Sequence, residues 1–318
     1  MSSYQNILGK EMTDFIQFRK TCGFDCRELI TVLNHLDSFL CGNNFTDKTL
    51  TEELVLKWMK SLTVKPYTMR CYLKDLTHFS KYLNSLGIEA FIPERPKSKS
   101  DYTPYIFTKD EWVRIIEAAD NLIVPRCPWS SIQMPLFVRL LYGCGLRVNE
   151  TLNLLTDDVD IKKGVLLIRI AKKRKQRFVP MDSSLTLICE RVIRILQLKD
   201  GDYLFQNKNG QKQNNDWADN CFAHILNNAG IIFHRAKSNE RGPCLHCLRH
   251  TFVLESLKKS ANNKRAFDET VPFLSTYLGH DSIRETDKYL NFSYELYEEA
   301  AEQVNAYTNE LFPKVVRL

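Results

Sequence analysis

Four consecutive stretches between residues 11 and 87 carry apolar residues at spacings of three and four, and then the pattern stops. They read EMTDFIQFRKTCG, CRELITVLNHLDSFL, TEELVLKWMKSL and YTMRCYLKDLTHFSKYLNSLG. Such spacing gathers apolar side chains on one face of a helix, so the chain must open as a small helical bundle. The next segment, IPERPKSKSDYTP, is rich in Pro, Lys and Ser and has no apolar periodicity, which is the composition of a linker. We expect a helical unit over residues 1–95, a linker over 96–104 and a larger unit over 105–318. With 318 residues, 44% of them hydrophobic, the chain can bury two cores.

The second unit starts with a helix signal, because Thr108 and Glu111 have the spacing of a capping box. Further helices are expected over 131–143, 146–155, 184–199, 214–228 and 246–259. One segment breaks the pattern. In GVLLIRIAKKRKQRFVPM the aliphatic run 165–170, a charged turn and RFVP read as a β-hairpin with a basic tip. The fold class is therefore mainly α with a small β-hairpin or sheet: a helical N-terminal domain followed by an α+β domain.

No run approaches the roughly 18 apolar residues of a membrane span, and the N-terminus lacks a basic segment followed by an apolar core. A cytoplasmic protein without membrane contact is expected. Ten cysteines are scattered along a large chain, a distribution of buried thiols rather than of a disulfide scaffold. The net charge of +6 is mild, but half of the positions in 162–177 are Lys or Arg. A local basic patch of this kind suits a polyphosphate backbone. On the fourth helix Arg70, Lys74 and His78 recur at four-residue spacing, a face that fits either phosphate contact or plain solvation.

The stretch CLHCLRHTF, residues 244–252, supports three readings. Zinc would take Cys244, Cys247 and His246 or His250, but a structural zinc site needs four ligands and no second pair lies nearby. A capped helix with incidental histidines is the bland reading. In the third, His246, Arg249 and His250 share one face of a first helical turn, whose unpaired N–H groups and positive end favour a bound phosphate.

HCLRHTF resembles the H-x-L-R-H-T box of the tyrosine recombinase (lambda-type integrase) family, and the family's other boxes occur in order. YGCGLRVNETLNL is similar to the G-L-R-x-x-E box, with Arg147 and Glu150. YLGHDSIRETDKYLN is similar to the L-G-H and T-x-x-Y boxes, with His280 and Tyr289. The hairpin resembles the family's lysine-bearing hairpin and aligns Lys172 with its catalytic lysine, with Lys173 and Lys175 as close rivals.

The resemblance implies a site-specific DNA recombinase that cuts and rejoins strands through a 3′-phosphotyrosine and a Holliday junction, for a mobile element or phage. It implies Tyr289 as nucleophile, Arg147 and Arg249 on the phosphate oxygens, and Lys172 as the acid for the leaving 5′ oxygen. His246 and His280 would hydrogen-bond the phosphate or take the tyrosine proton. Glu150 and His250 would support them, and Arg70, Lys74, Lys173, Arg174 and Lys175 would contact DNA. It implies double-stranded DNA sites as partner, a homotetramer on DNA, room for accessory DNA-binding factors, and neither metal nor cofactor. Tyr277, Tyr294 and Tyr297 lie near enough in sequence to rival Tyr289. A type IB topoisomerase and a silent DNA-binding protein on the same scaffold are the alternatives.

Overall fold

The computed structural model describes residues 4–96, 104–125, 127–169, 176–234, 242–262, 267–279 and 282. The chain divides into two compact units, Met1–Asp101 and Tyr102–Leu318.

The first unit holds α1 (Gly9–Thr21), α2 (Arg27–Gly42), α3 (Glu52–Ser61) and α4 (Pro66–Ser85). Their apolar faces meet around Trp58, Leu33, Leu36, Leu73 and Phe79, all fully buried. Thr51 caps α3 by accepting the Leu54 N–H at 3.3 Å, and Pro66 starts α4, where its missing N–H costs nothing. The unit closes on itself after α4, where the Leu50 N–H donates to the Glu89 carbonyl at 2.9 Å and the Phe91 N–H to Leu50 at 2.8 Å.

The second unit is built round α6 (Pro128–Gly143), apolar on nearly every side and packed by α5 (Lys109–Asp120), α8 (Ser183–Ile195) and α10 (Leu245–Asn262). A helix apolar all round belongs at the centre. The expected capping box of α5 is formed: Thr108 Oγ1 accepts from the Glu111 N–H at 3.2 Å, and the Glu111 carboxylate accepts from the Thr108 N–H at 2.8 Å. Among the described residues the other α-helices of this unit are α7 (Val148–Leu152), α9 (Asn215–Asn228) and α11 (Phe267–Leu278). A separate apolar cluster of Val253, Leu254, Leu257, Val271, Leu274 and Leu278 joins α10 to α11.

The sheet is three-stranded, in the order β1 (Val159–Asp160), β2 (Val165–Ile168), β3 (Arg177–Pro180), and antiparallel throughout. The hairpin pairs Ile168 with Arg177 and Leu166 with Val179; its tip, 170–175, lies outside the described residues. Three differences from the sequence reading stand out. Helix 146–155 contracts to α7, because Arg147 is extended at its N-cap and the chain passes into a 3-10 turn at Thr156–Asp158. The short β1 was not expected, and neither was α11, whose pattern is interrupted by Pro272. Among the described residues no helix is long and apolar enough to cross a membrane.

Candidate active site

The site forms where α7, β3, α10 and the end of α11 converge on one carboxylate. Glu150 lies one turn into α7 and is 4% exposed. Its carboxylate accepts from the Arg147 backbone N–H at 3.0 Å and from Arg147 Nη1 at 2.8 Å. Arg177 grips it with a fork, Nη1 to Oε1 at 3.0 Å and Nη2 to Oε2 at 2.8 Å. Arg249 Nη1 stands 3.9 Å from Oε2. Burial alone would raise this carboxyl, but the Arg177 hydrogen bonds and charge, followed by Arg147, hold it down at about 2. One carboxylate thus faces three guanidinium groups, and the balance of positive charge suits an anionic substrate.

The arginines are aimed by backbone carbonyls. Arg249, 1% exposed, donates Nη1 to the Gly145 carbonyl at 2.6 Å and Nη2 to the Leu278 carbonyl at 2.9 Å. Arg147 donates to the same Leu278 carbonyl at 3.3 Å and to Gly279 at 3.1 Å. Both therefore cap the C-terminal end of α11, where a cation meets the last carbonyls and the negative end of the helix.

Two glycines permit this approach. Gly145 has φ +61°, and a Cβ there would lie 2.4 Å from the Phe252 ring; Phe252 in turn stacks on Tyr277 at 5.8 Å. Gly279 has φ +63°, and a Cβ there would come within 3.0 Å of Arg177 Nη1.

His246 sits in the first turn of α10 with its ring against His250, edge to face at 4.4 Å. Part of the ring is open to solvent. Crowding by protein, then Arg249 and Arg147, pushes its pKa down to about 4. Water on the open side softens that shift, and its direction leaves a neutral imidazole at neutral pH, able to accept a proton. His250 is buried.

The structure brings Arg147, Glu150, His246, Arg249 and His250 together. Lys172, Lys173, Arg174, Lys175, His280 and Tyr289 lie outside the described residues. Tyr277, a rival nucleophile, donates its hydroxyl to the Cys144 carbonyl at 3.2 Å, and burial raises its pKa, both unfavourable to attack. Tyr294 and Tyr297 lie outside the described residues. In the first unit Arg70 is exposed on α4, while Lys74 stands 3.4 Å from Asp75 and 3.9 Å from Glu28. Among the described residues no three His, Cys, Asp or Glu side chains could hold a metal ion together.

Arg177 is the site residue that sequence reasoning missed. The signal was present: strand residues alternate, so in RFVP the buried Val179 places Arg177 on the same inward face.

A helical unit joined to an α+β unit whose arginines and histidine converge in this way defines a tyrosine recombinase. Residues 106–295 match the phage integrase family, and the chain belongs to that family. It is 29% identical over 306 residues to a protein of Sinorhizobium fredii named as integrase/recombinase y4rB, covering 90% of this chain and 93% of that one. It is 27% identical over 262 residues to tyrosine recombinase XerA of Pyrococcus furiosus, covering 80% and 81%.

Its fold is similar to that of a lambda integrase (75–356) dimer bound to a COC′ core site, with TM-score 0.65, 15% identity and coverage of 90% of this chain and 95% of that one. It is also similar to the XerH site-specific recombinase bound to difH, with TM-score 0.63, 20% identity and coverage of 85% and 76%.

Proposed function

We propose that this chain is a site-specific DNA recombinase that cleaves and rejoins double-stranded DNA through Tyr289. The observation that carries the reading is the convergence of Arg147 and Arg249, from separate boxes, on the Leu278 carbonyl with His246 beside them. Tyr289 Oη attacks phosphorus, the bond to O5′ breaks, and Lys172 gives the departing oxygen its proton, leaving a 3′-phosphotyrosine. Arg147 and Arg249 hold the non-bridging oxygens and the charge that grows on them, a task for cations that stay charged. His246 and His280 share hydrogen bonding to the phosphate and removal of the tyrosine proton. Glu150, His250 and Arg177 keep the pocket in register. A free 5′-hydroxyl of a partner strand then attacks the phosphotyrosine and rejoins the backbone.

In this reading residues 1–95 form a DNA-binding domain closing on the duplex, with Arg70 and Lys74 toward it and Lys173, Arg174 and Lys175 on the backbone. Four protomers exchange strands through a Holliday junction on a mobile element or phage site, in the cytoplasm and with accessory DNA-binding factors where the site requires them. DNA-bound dimers among the structural relatives support the DNA partner. No metal or cofactor takes part, so cleavage survives EDTA; loss on chelation and recovery with zinc would return Cys244 and Cys247 to a ligand role.

The test is a nicked suicide duplex carrying DNA from beside the gene, read on denaturing gels for a protein band shifted by attached DNA. Wild type gives the band and Tyr289→Phe gives none while still binding. Arg249→Ala loses about a hundredfold or more in rate, as for a missing oxyanion donor. Relaxation of supercoils without recombinant product favours a type IB topoisomerase. Wild type that binds the site but never forms an adduct is a DNA-binding protein.

A further inference from the structure

The proposed chemistry uses His246 and Arg249 but leaves the two cysteines around them without a task. Cys244 immediately precedes α10, at the N-cap position. The backbone N–H groups of His246 and Cys247, at the N2 and N3 positions, favour its thiolate. Cys247 Sγ lies 3.4 Å away, and its backbone N–H donates to the Cys244 carbonyl at 2.9 Å. Cys247 is fully buried, whereas Cys244 keeps an open side.

The two thiols are driven apart in acidity. The Cys247 S–H bond to Cys244 and the two backbone donors hold the Cys244 thiol below its ordinary value against the effect of burial. Cys247, as donor and by burial, is pushed up. A partly exposed low-pKa sulfur beside a buried partner at a helix start is the arrangement of a reactive dithiol. Cys144 and Cys189 differ, being buried thiols pushed up to about 12.

We propose that Cys244 and Cys247 form a thiol–disulfide site whose co-substrate is a low-molecular-weight disulfide, and that closing the bridge disables the adjoining phosphate pocket. The Cys244 thiolate attacks one sulfur of the small disulfide; a mixed disulfide forms and one thiolate leaves, taking the proton that Cys244 lost on ionising. The Cys247 sulfur then attacks Cys244 Sγ, breaks the mixed disulfide and yields its proton to the second departing thiol. Two protein thiols are oxidised and one small disulfide is reduced to two thiols.

The bridge draws the sulfurs from 3.4 Å to about 2.05 Å and removes the anion from the start of α10. His246 lies inside the closed loop and Arg249 two residues beyond it. The effect on cleavage rests on the recombinase reading; formation of the bridge does not.

The full chain is equilibrated across ratios of glutathione to its disulfide, alkylated, digested with trypsin and weighed. In the peptide Gly242–Arg249 both alkylation sites should disappear together, with the loss of two hydrogens. Persistent alkylation of both, or glutathione retained on Cys244, overturns the site. Two further readouts compare oxidised with reduced protein: the His246 ring titration by NMR, and adduct formation on the suicide duplex.

We expect the titration to move and adduct formation to fall by about a hundredfold, the cost of a misplacement of about 1 Å, with recovery in dithiothreitol. Cys247→Ala should form no bridge and stop at the mixed disulfide, with glutathione held on Cys244. A bridge that leaves the His246 titration unmoved overturns its control of the pocket. If reduced wild type forms no adduct, the recombinase reading fails instead, and the mass and NMR results still decide the site.

Discussion

Glu150 is the counter-charge on which the site depends, since removing it leaves Arg147, Arg177 and Arg249 facing one another in a buried space. Breaking a buried pair from one side costs about 3–5 kcal/mol, and Glu150→Gln should lose that much in urea denaturation. The acid response comes from the same carboxyl. Its folded pKa of about 2 lies below the ordinary 4.5, so its contribution is present above 4.5 and is lost as pH falls from there through 2. That is about 3 kcal/mol. Glu150→Gln should lack this loss in the same window; a wild-type stability that stays level from pH 5 to about 2 would show the carboxyl is not held.

Arg177→Lys keeps the charge but not the fork, and should cost about 1.5–3 kcal/mol. At His246 the lowered pKa predicts an acidic limb of kcat/KM lying well below the ordinary histidine value, absent from His246→Ala. A limb at the ordinary value would mean the ring does not feel Arg249 and Arg147.

At the scale of elements, the turn between α6 and α7 and the end of α11 are set by glycines for different reasons. Both would be strained by a side chain at positive φ, at about 1–2 kcal/mol each. Gly145→Ala also drives a methyl into the packed Phe252 ring at 2.4 Å, adding about 1–3 kcal/mol, whereas at Gly279 the nearest atom is a guanidinium tip at 3.0 Å. Gly145→Ala should therefore be the more destabilising in chemical denaturation, and equal losses would mean Phe252 yields. The box spelled G-L-R needs its glycine, Gly145, so that Arg249 can reach the Gly145 carbonyl under Phe252. Period-two burial in β3 explains in the same way how an arginine in a hairpin arm reaches the pocket wall.

Over the whole molecule, each unit carries its own core, round Trp58 in the first and round Phe137 and Phe205 in the second. The net charge of +6 is modest, so binding strength should come from the local density of cations in 162–177. Neutralising Lys173, Arg174 and Lys175 together should lower the slope of log affinity against log salt by about 0.9 for each phosphate that the protein no longer neutralises. An unchanged slope, measured on the same duplex, would show that the hairpin tip does not touch the backbone.

The helices of the first unit, the capping box at Thr108 and the order of the recombinase boxes were legible in the sequence, because each depends on residues within a few positions of one another. Spacing of three and four decides a helix face, and a cap needs only its own first turn. The tertiary structure alone decided that Arg177 joins Arg147 on Glu150, that two arginines share the Leu278 carbonyl, and that α11 exists despite Pro272. Ion pairs and close packing arise between groups far apart in the chain, and their strength depends on burial that only the folded core creates. A pattern of neighbours carries no record of that.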